Sequence, residues 1–262
     1  MSLKTEVTDA KPVSMLSKES MSELQSLLNK HGHDLEVDGI LGGLTMEAFK
    51  EFKIKHYQAH YDLIGPGSVA LLLDVPKTTD AISMQMERLK RYSDNPDLNT
   101  KTYYYSQRDN YRMPDRTCNS SSNAMYLDWL MRATGEPGLS GDDDYLRKVL
   151  SYGDTIYHGV QTKTIKAYGY STKWMTDRDL PFVKDLLKTG FPVVCNILHR
   201  GSVSSPRGGH VIMLIAYDGS TLTAHDPYGT VTSNYTNTNG AYSKISESEF
   251  KARWQGGYRI LA

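Results

Sequence analysis

Residues 208–229, GGHVIMLIAYDGSTLTAHDPYG, decide the fold predicted for the C-terminal part of this chain. Two apolar runs flank Asp218-Gly219-Ser220, a pattern typical of a turn between two antiparallel strands. His210 opens the first run after two glycines, which allow another group to approach the backbone closely. Asp226 ends the second run, in a sequence that also forms turns well. The stretch therefore predicts a hairpin with a histidine and a carboxylate near its open end.

The length of this turn decides whether His210 and Asp226 lie on the same face of the hairpin. Side chains alternate along a strand, so a one-residue change of register moves a side chain to the other face. A loop of Tyr217–Gly219 places the two residues directly opposite each other, and a loop of Asp218–Ser220 makes them diagonal neighbours. A two-residue loop places them on opposite faces. We therefore predict a three-residue loop, or a bulge that restores the register, and an imidazole–carboxylate hydrogen bond.

Cys118 stands at the start of a helix predicted over 118–133. Free backbone N–H groups and the helix dipole at that position favour a thiolate nucleophile. The alternative is a buried, inert thiol, and the polar residues 119–123 argue against deep burial of this turn. Cys195 lies in an apolar run and is predicted to be a core residue. The ordered set predicts Cys118 as nucleophile, His210 as base and Asp226 as the residue that orients the base.

The composition excludes several classes of function. The chain has 262 residues, with 30 lysines and arginines balanced by 30 aspartates and glutamates, which gives no support for a nucleic-acid partner. No stretch reaches the ~18 apolar residues of a membrane helix, and the N-terminus carries no leader pattern. Two cysteines fit a reducing compartment. We expect synthesis in the cytoplasm, no integral membrane segment, no cofactor and a monomer.

Helical patterns precede strand patterns along the chain, which indicates an α+β protein. We divide it into an N-terminal tail (1–19), a small three-helix domain (20–75), a linker helix (76–99) and a catalytic domain (100–262). Two further sequence features are weaker candidates for a metal site. His56 and His60 lie four residues apart on a helix but lack a third ligand. The acidic run Asp142–Asp144 could hold a cation, although a helix start is the preferred interpretation.

The C-terminal motifs resemble the C39-like cysteine peptidases, which have a papain-like fold. The resemblance covers about residues 100–262 and is carried by four segments in the family's order: Ser106–Asn110, Thr117–Met125, Gly209-His210 and His225–Gly229. It implies a Cys-bearing helix packed on an antiparallel sheet, and it implies that Gln107 donates to the oxyanion beside the Cys118 N–H. Many members carry Gly-Pro after the nucleophile, whereas this chain has Asn119-Ser120.

The N-terminal motifs resemble the three-helix peptidoglycan-binding domain. The resemblance covers about residues 20–74, with Leu24–Asn29, Val37–Gly42 and Thr45–Ala48 as its motifs and Phe52-Lys53 where Phe-Gln is usual. It implies a peptidoglycan-binding surface, for which the candidate substrate-binding residues are Asp38, Gly39, Gly42 and Thr45. Judged from the residues alone, the same positions serve turns and local hydrogen bonds.

Together the two resemblances imply an endolysin-like peptidoglycan hydrolase that cuts a stem or cross-link peptide. Such an enzyme would be made in the host cytoplasm and would act on the wall after membrane breach. The alternatives are an N-acetylmuramoyl amidase or transpeptidase on the same triad, and a catalytically silent wall-binding protein. A leader-cleaving bacteriocin processor would need a transporter partner and double-glycine substrates, and the peptidoglycan-binding resemblance argues against it.

Overall fold

The computed structural model describes residues 2–31, 33–56, 58–73 and 78–262. The chain divides into two compact units, residues 1–77 and 78–262. The predicted boundary between residues 75 and 76 lies outside the described residues. Within the described part, no helix is long and apolar enough to cross a membrane.

The described part of the N-terminal unit contains helices and two short strands. In chain order its elements are α1 (Leu3–Glu6), β1 (Lys11–Pro12), α2 (Lys18–Lys30), α3 (Gly43–Lys55), β2 (Leu63–Ile64) and α4 (Pro66–Leu73). Strands β1 and β2 pair antiparallel. Leucines and phenylalanines of α2 and α3 form the centre of a separate small core.

Of the predicted tail (1–19), the described residues 2–19 are packed into this unit. Leu3, Val7 and Val13 are buried in the same core as the helices. The Glu6 carboxylate accepts hydrogen bonds from the Ser17 N–H at 2.9 Å and from its hydroxyl at 2.5 Å, which ties the segment to the start of α2. The three apolar residues follow neither the helical nor the strand period over their whole span, so periodicity did not reveal this packing.

The C-terminal unit combines helices with one antiparallel sheet. In chain order its elements are α5 (Thr78–Lys90), α6 (Cys118–Ala133), α7 (Asp143–Tyr152), α8 (His158–Ala167), β3 (Thr172–Met175), α9 (Leu180–Lys188), β4 (Val193–Arg200), β5 (Arg207–Tyr217), β6 (Thr221–His225), β7 (Ser243–Ser246), α10 (Glu247–Arg253) and β8 (Trp254–Leu261). Within residues 78–262 the six strands lie in the order β3-β8-β4-β5-β6-β7. Helix α6 packs against β4 and β5, at the centre of the sheet. The predicted mixture of helices and antiparallel strands is confirmed.

Helix α5 belongs to the C-terminal unit and is not a free linker. Leu89 is fully buried in the core of that unit. The Arg88 Nη1 donates to the Leu261 carbonyl at 2.8 Å, and the Leu261 N–H donates to Gln85 Oε1 at 3.1 Å. Ile82 and Met86 also pack against this core, so the apolar face of α5 lies on the C-terminal unit.

A bulge sets the register of the β5–β6 hairpin. The two strands leave Asp218–Ser220 between them, which is one of the two predicted loops. Tyr217 pairs with Leu222, however, so the loop alone does not give the predicted register. The register shifts between Leu214 and Ala216, and the predicted bulge that restores it is confirmed. His210 and Asp226 are consequently diagonal neighbours on one face, because one extra residue reverses the alternation of side chains.

Candidate active site

Three side chains from α6, β5 and the end of β6 meet in a connected chain. The His210 Nε2 lies 2.7 Å from Asp226 Oδ1, and both side chains are buried. The Cys118 thiol, on the first residue of α6, is hydrogen bonded to the His210 side chain. Because Nε2 is committed to Asp226, the other ring nitrogen, Nδ1, serves the sulfur. The predicted hydrogen bond across the hairpin is confirmed, and the side chains face the start of the Cys118 helix as expected.

The surroundings of Cys118 stabilise its thiolate. Burial raises the pKa of the thiol, but the charge of His210 and the hydrogen bond from its ring act in the opposite direction. The backbone N–H groups of Val211 and Asn119 also donate to the sulfur. The net effect is a pKa below the ordinary value for cysteine. Cys118 is half-buried, whereas burial alone raises the pKa of Cys195 well above its ordinary value.

His210 is stabilised as an imidazolium. Burial lowers its pKa, but the charges of Asp226 and Cys118 and the hydrogen bonds to both outweigh that effect and raise the pKa to about 10. The two titrations are coupled, since each charged partner favours the other. The lowered pKa of Cys118 and the raised pKa of His210 both favour a thiolate–imidazolium pair. This pair is the reactive state of a thiol nucleophile with a positioned acid.

The first turn of α6 is buried, contrary to the expectation drawn from its polar sequence. Residues 119–123 are at most 2% exposed, and each polar side chain has a partner. The Ser121 hydroxyl donates to Asp142 Oδ2 at 2.6 Å, and the Ser122 hydroxyl donates to the Val211 carbonyl at 2.9 Å. These partners lie on remote elements. Polar residues can be buried when hydrogen bonds replace those lost to water, and here they fix the helix start that carries Cys118.

Asp226 is held by more groups than His210 alone. Its Oδ1 also accepts from the Tyr228 N–H at 3.0 Å, and its Oδ2 accepts from the Tyr235 hydroxyl at 3.3 Å. Its own N–H donates to the Gly240 carbonyl at 3.0 Å. A fully buried carboxylate needs such donors, because burial without them is costly. The loop after β6 therefore supplies groups that hold Asp226 in its orientation.

Gly240 permits this loop to lie directly against the Asp226 backbone. A Cβ at this position would stand 1.8 Å from the Asp226 carbonyl oxygen, so something must shift. We expect Gly240→Ala to destabilise the fold by about 1–3 kcal/mol, as overpacking does, and to displace Asp226. The measurement is a denaturant titration, with Gly159→Ala as the control because no atom lies within 4 Å of the Cβ added there. Equal stability of the two variants would contradict the expectation.

Gln107 lies in a short 3-10 turn, tied to the segment that carries Asp226. Its N–H donates to the Pro227 carbonyl at 2.9 Å, and its Nε2 donates to the Pro114 carbonyl at 2.7 Å. The side chain is 1% exposed, and the Oε1 is without a partner among the described residues. Nε2 carries a second hydrogen that this bond does not use. Its role as an oxyanion donor stays a prediction.

Three aromatic side chains that the sequence did not single out surround the His210 ring. The ring of His199 is stacked on it with centroids 4.5 Å apart, and Tyr228 and Tyr235 meet it edge-on at 6.3 Å each. The guanidinium of Arg108 lies 3.8 Å from the centroid of Tyr228. Ile197 of β4 pairs with His210 of β5. Two residues along a strand place His199 on the same face.

A cavity of about 570 Å³ lies beside the Gln107 segment and the start of α7. Its lining is Tyr104, Tyr105, Ser106, Asp109, Ser140, Gly141, Asp142, Asp143, Asp144 and Arg147. Burial raises the pKa of Asp142 to about 6, against the effect of the Ser121 hydrogen bond. The predicted helix start is α7, which begins at Asp143. Among the described residues, no group of three or more acidic, His or Cys side chains is arranged to hold a metal ion.

The candidate substrate-binding residues of the N-terminal unit gather around the buried Gln25. The Gln25 Nε2 donates to Asp38 Oδ1 at 2.8 Å and to Thr45 Oγ1 at 3.2 Å, and its Oε1 accepts from the Gly39 N–H at 2.8 Å. Gly42 precedes the first residue of α3. These polar atoms build the loop between α2 and α3, in line with the structural interpretation. Their role toward a substrate stays a prediction.

Comparisons with known proteins place the C-terminal unit. The family model described as the Peptidase_C39 like family matches residues 100–259. A comparison with curated proteins finds no match. One similar solved structure is described as a putative C39-like peptidase from Bacillus anthracis. The two sequences are 17% identical, the aligned region covers 64% of this chain and 96% of that chain, and the TM-score is 0.44.

Two further solved structures are similar at the same level. One is a double glycine motif protease from an AMS/PCAT transporter in complex with the leader peptide. Its sequence is 15% identical, the aligned region covers 63% of this chain and 96% of that chain, and the TM-score is 0.40. The other is the peptidase domain of Streptococcus ComA. Its sequence is 15% identical, the aligned region covers 62% of this chain and 98% of that chain, and the TM-score is 0.40. The family model spans more than half of the sequence. This chain belongs to the Peptidase_C39-like family.

Proposed function

We propose that this protein is a thiol peptidase that hydrolyses peptide bonds in the stem or cross-link peptides of peptidoglycan. One observation supports the peptidase activity. The half-buried Cys118 thiol is hydrogen bonded to His210, and Nε2 of His210 is hydrogen bonded to the buried Asp226. This arrangement supplies a nucleophile, an acid–base group and its orienting partner.

In the first half of the proposed reaction, the Cys118 thiolate attacks the carbonyl carbon of the scissile peptide. The oxygen that becomes negative is stabilised by the Cys118 N–H, which has no intrahelical acceptor at the first position of α6, and by Gln107. The His210 imidazolium gives its proton to the leaving nitrogen. The C–N bond breaks, the amine departs and a thioester to Cys118 remains.

In the second half, water hydrolyses that thioester. Neutral His210 takes a proton from the water as its oxygen attacks the carbonyl carbon, and the C–S bond breaks to release the acid product. The thiolate and imidazolium are then restored. Asp226 keeps the same ring orientation through both halves, because its bond to Nε2 leaves Nδ1 facing the sulfur.

The N-terminal unit supports peptidoglycan as the substrate. Its motifs resemble peptidoglycan-binding domains, and the loop organised by Gln25 carries exposed apolar side chains. Val37, Ile40 and Leu44 are 50%, 62% and 73% exposed. Neighbouring exposed apolar groups of this kind mark interaction surfaces. A wall-binding unit in the same chain would raise the effective concentration of substrate at Cys118 without any contact to the scissile bond.

The proposal is tested by digesting purified peptidoglycan of known cross-link chemistry and analysing the products by mass spectrometry. We expect the wild-type protein to release new amino groups from opened cross-links or shortened stems. We expect Cys118→Ala to release none above background, because no other described cysteine is exposed to replace it. Cys195→Ala is the matched control, since Cys195 is fully buried in the core and is expected to be dispensable for cleavage.

Different outcomes separate the alternatives. Intact stem peptides released from the glycan would identify an amidase on the same triad. Wall binding with no released amines would identify a catalytically silent protein. Clearing of the wall by Cys118→Ala at the wild-type rate would overturn the thiol mechanism itself.

A further inference from the structure

His199 stacks closely on His210, and the backbone of Gly208 leaves room for its ring. The two imidazole rings are inclined by only 20° with centroids 4.5 Å apart, and His199 is 9% exposed. Gly208 lies at the edge of the His199 ring, where a Cβ would stand 3.2 Å from Cδ2 and 3.3 Å from Nε2. The backbone of Gly208 also has a φ of +72°, which favours glycine. A side chain at position 208 would therefore crowd His199 and strain the strand.

His199 also enters the hydrogen-bond chain that ends on Asp226. Its Nδ1 lies 3.0 Å from the Tyr235 hydroxyl, which lies 3.3 Å from Asp226 Oδ2. A carboxylate only accepts, so Tyr235 donates its proton to Asp226. The Tyr235 oxygen is then free to accept from His199, which requires a hydrogen on Nδ1. The donors are consistent in direction from His199 through Tyr235 to Asp226.

The surroundings of His199 keep it neutral. Burial is the main cause that lowers its pKa, to about 3, and the remaining causes are the cationic His210, Arg200 and Arg253. The other aromatic rings against it are those of Tyr228 and Tyr235. A neutral ring can stack on the His210 imidazolium without repulsion, whereas a second imidazolium at that distance could not.

Tyr235 is held in an unusual backbone conformation. Its φ is +61°, after Asn234 at +51°, and such values are uncommon for residues other than glycine. The Tyr235 N–H donates to the Thr230 carbonyl at 3.1 Å, which closes the turn that brings the hydroxyl to Asp226. Strained backbone of this kind persists where the surroundings require it, and it is common at functional sites.

We propose that Tyr235 and His199 are positioning residues for the His210–Asp226 pair: Tyr235 holds Asp226 in the orientation that receives His210, and His199 covers the face of the imidazole. Neither residue touches the reacting sulfur. This inference rests on the proposed thiol mechanism, but it concerns the two residues that set the geometry of the base.

The role of Tyr235 is tested by Tyr235→Phe, which removes the hydroxyl and keeps the ring. We expect kcat to fall about tenfold with KM unchanged, because a hydrogen bond to a charged acceptor is lost. We also expect slower alkylation of Cys118 by iodoacetamide at neutral pH, and an alkaline limit of hydrolysis at lower pH than in the wild type. Tyr242→Phe is the control, since Tyr242 is 52% exposed and contacts His225 instead of His210.

The role of His199 is tested by two substitutions with opposite expected results. His199→Ala uncovers the imidazole face and is expected to lower kcat and the alkylation rate about as much as Tyr235→Phe does. His199→Phe keeps a flat ring over His210 and is expected to retain most of both rates. Thermal unfolding of every variant is measured alongside, so that rates are compared only between folded proteins.

The outcomes distinguish this inference from the proposed function. If wild-type Cys118 reacts with iodoacetamide no faster than an ordinary thiol, the proposed mechanism fails. If the wild type reacts fast and Tyr235→Phe and His199→Ala keep the wild-type kcat and alkylation profile while only their melting temperatures fall, the two residues are merely structural and the inference is overturned.

Discussion

Replacing His210 with alanine is expected to slow peptide hydrolysis by about 10²–10⁴-fold, the usual contribution of a positioned acid–base group. In this protein the loss has a second cause. The pKa of the Cys118 thiol lies below its ordinary value chiefly because His210 opposes the effect of burial. Without the imidazolium the largest lowering effect is lost, so the pKa of Cys118 rises and the thiolate population at neutral pH falls.

Alkylation by iodoacetamide separates these two causes, because it needs the thiolate but no acid. We expect His210→Ala to reduce the alkylation rate at pH 7 and to leave an alkylation profile with one alkaline pKa. Cys195 is fully buried, so it contributes little to the signal, and Cys118→Ala gives the background. An unchanged alkylation rate in a folded His210→Ala protein would show that His210 does not activate Cys118.

The chemistry of the site followed from local sequence because its parts are close in sequence or pair by simple rules. Helix α6 runs from Cys118 to Ala133, as predicted. The strands of the hairpin flank Asp218–Ser220, and the Asp218 carboxylate accepts from the Ser220 and Thr221 N–H groups across this loop. The bulge then restored the predicted face, so the requirement that His210 meet Asp226 was more informative than the turn sequence.

The parts that sequence reasoning missed depend on partners that are remote along the chain. The polar residues after Cys118 are buried because Asp142, Thr155 and Val211 accept or share their hydrogen bonds. His199 and Tyr235 carry no local signal either. The β4–β5 connection contains glycine, serine and proline and does not define a register, and Tyr235 reaches Asp226 only through an unusual turn.

Replacing Asp226 with asparagine is expected to move the alkaline limit of activity to lower pH by about 1–3 units, the usual effect of an adjacent opposite charge. The active pair needs a thiolate, which is present above the pKa of Cys118, and an imidazolium, which is present below the pKa of His210. Burial alone would lower the pKa of His210, and the Asp226 charge is the largest of the causes that raise it to about 10. With a neutral side chain at 226, the window in which both charged forms exist closes from the alkaline side.

The shape of the pH profile therefore tests the role of Asp226 more sharply than the loss of rate does. Asparagine has one side-chain oxygen for the donors of His210, Tyr228 and Tyr235, and its amide nitrogen must face one of them, so some loss of rate would follow even from a structural role. Only the loss of charge predicts a shift of the alkaline limb with a smaller change on the acid side. The alkaline limit of hydrolysis should shift in Asp226→Asn and should keep its position in Tyr242→Phe. An Asp226→Asn protein that is folded and slow, yet keeps the wild-type alkaline limit, would leave Asp226 as a steric support and would require another source for the charge on His210.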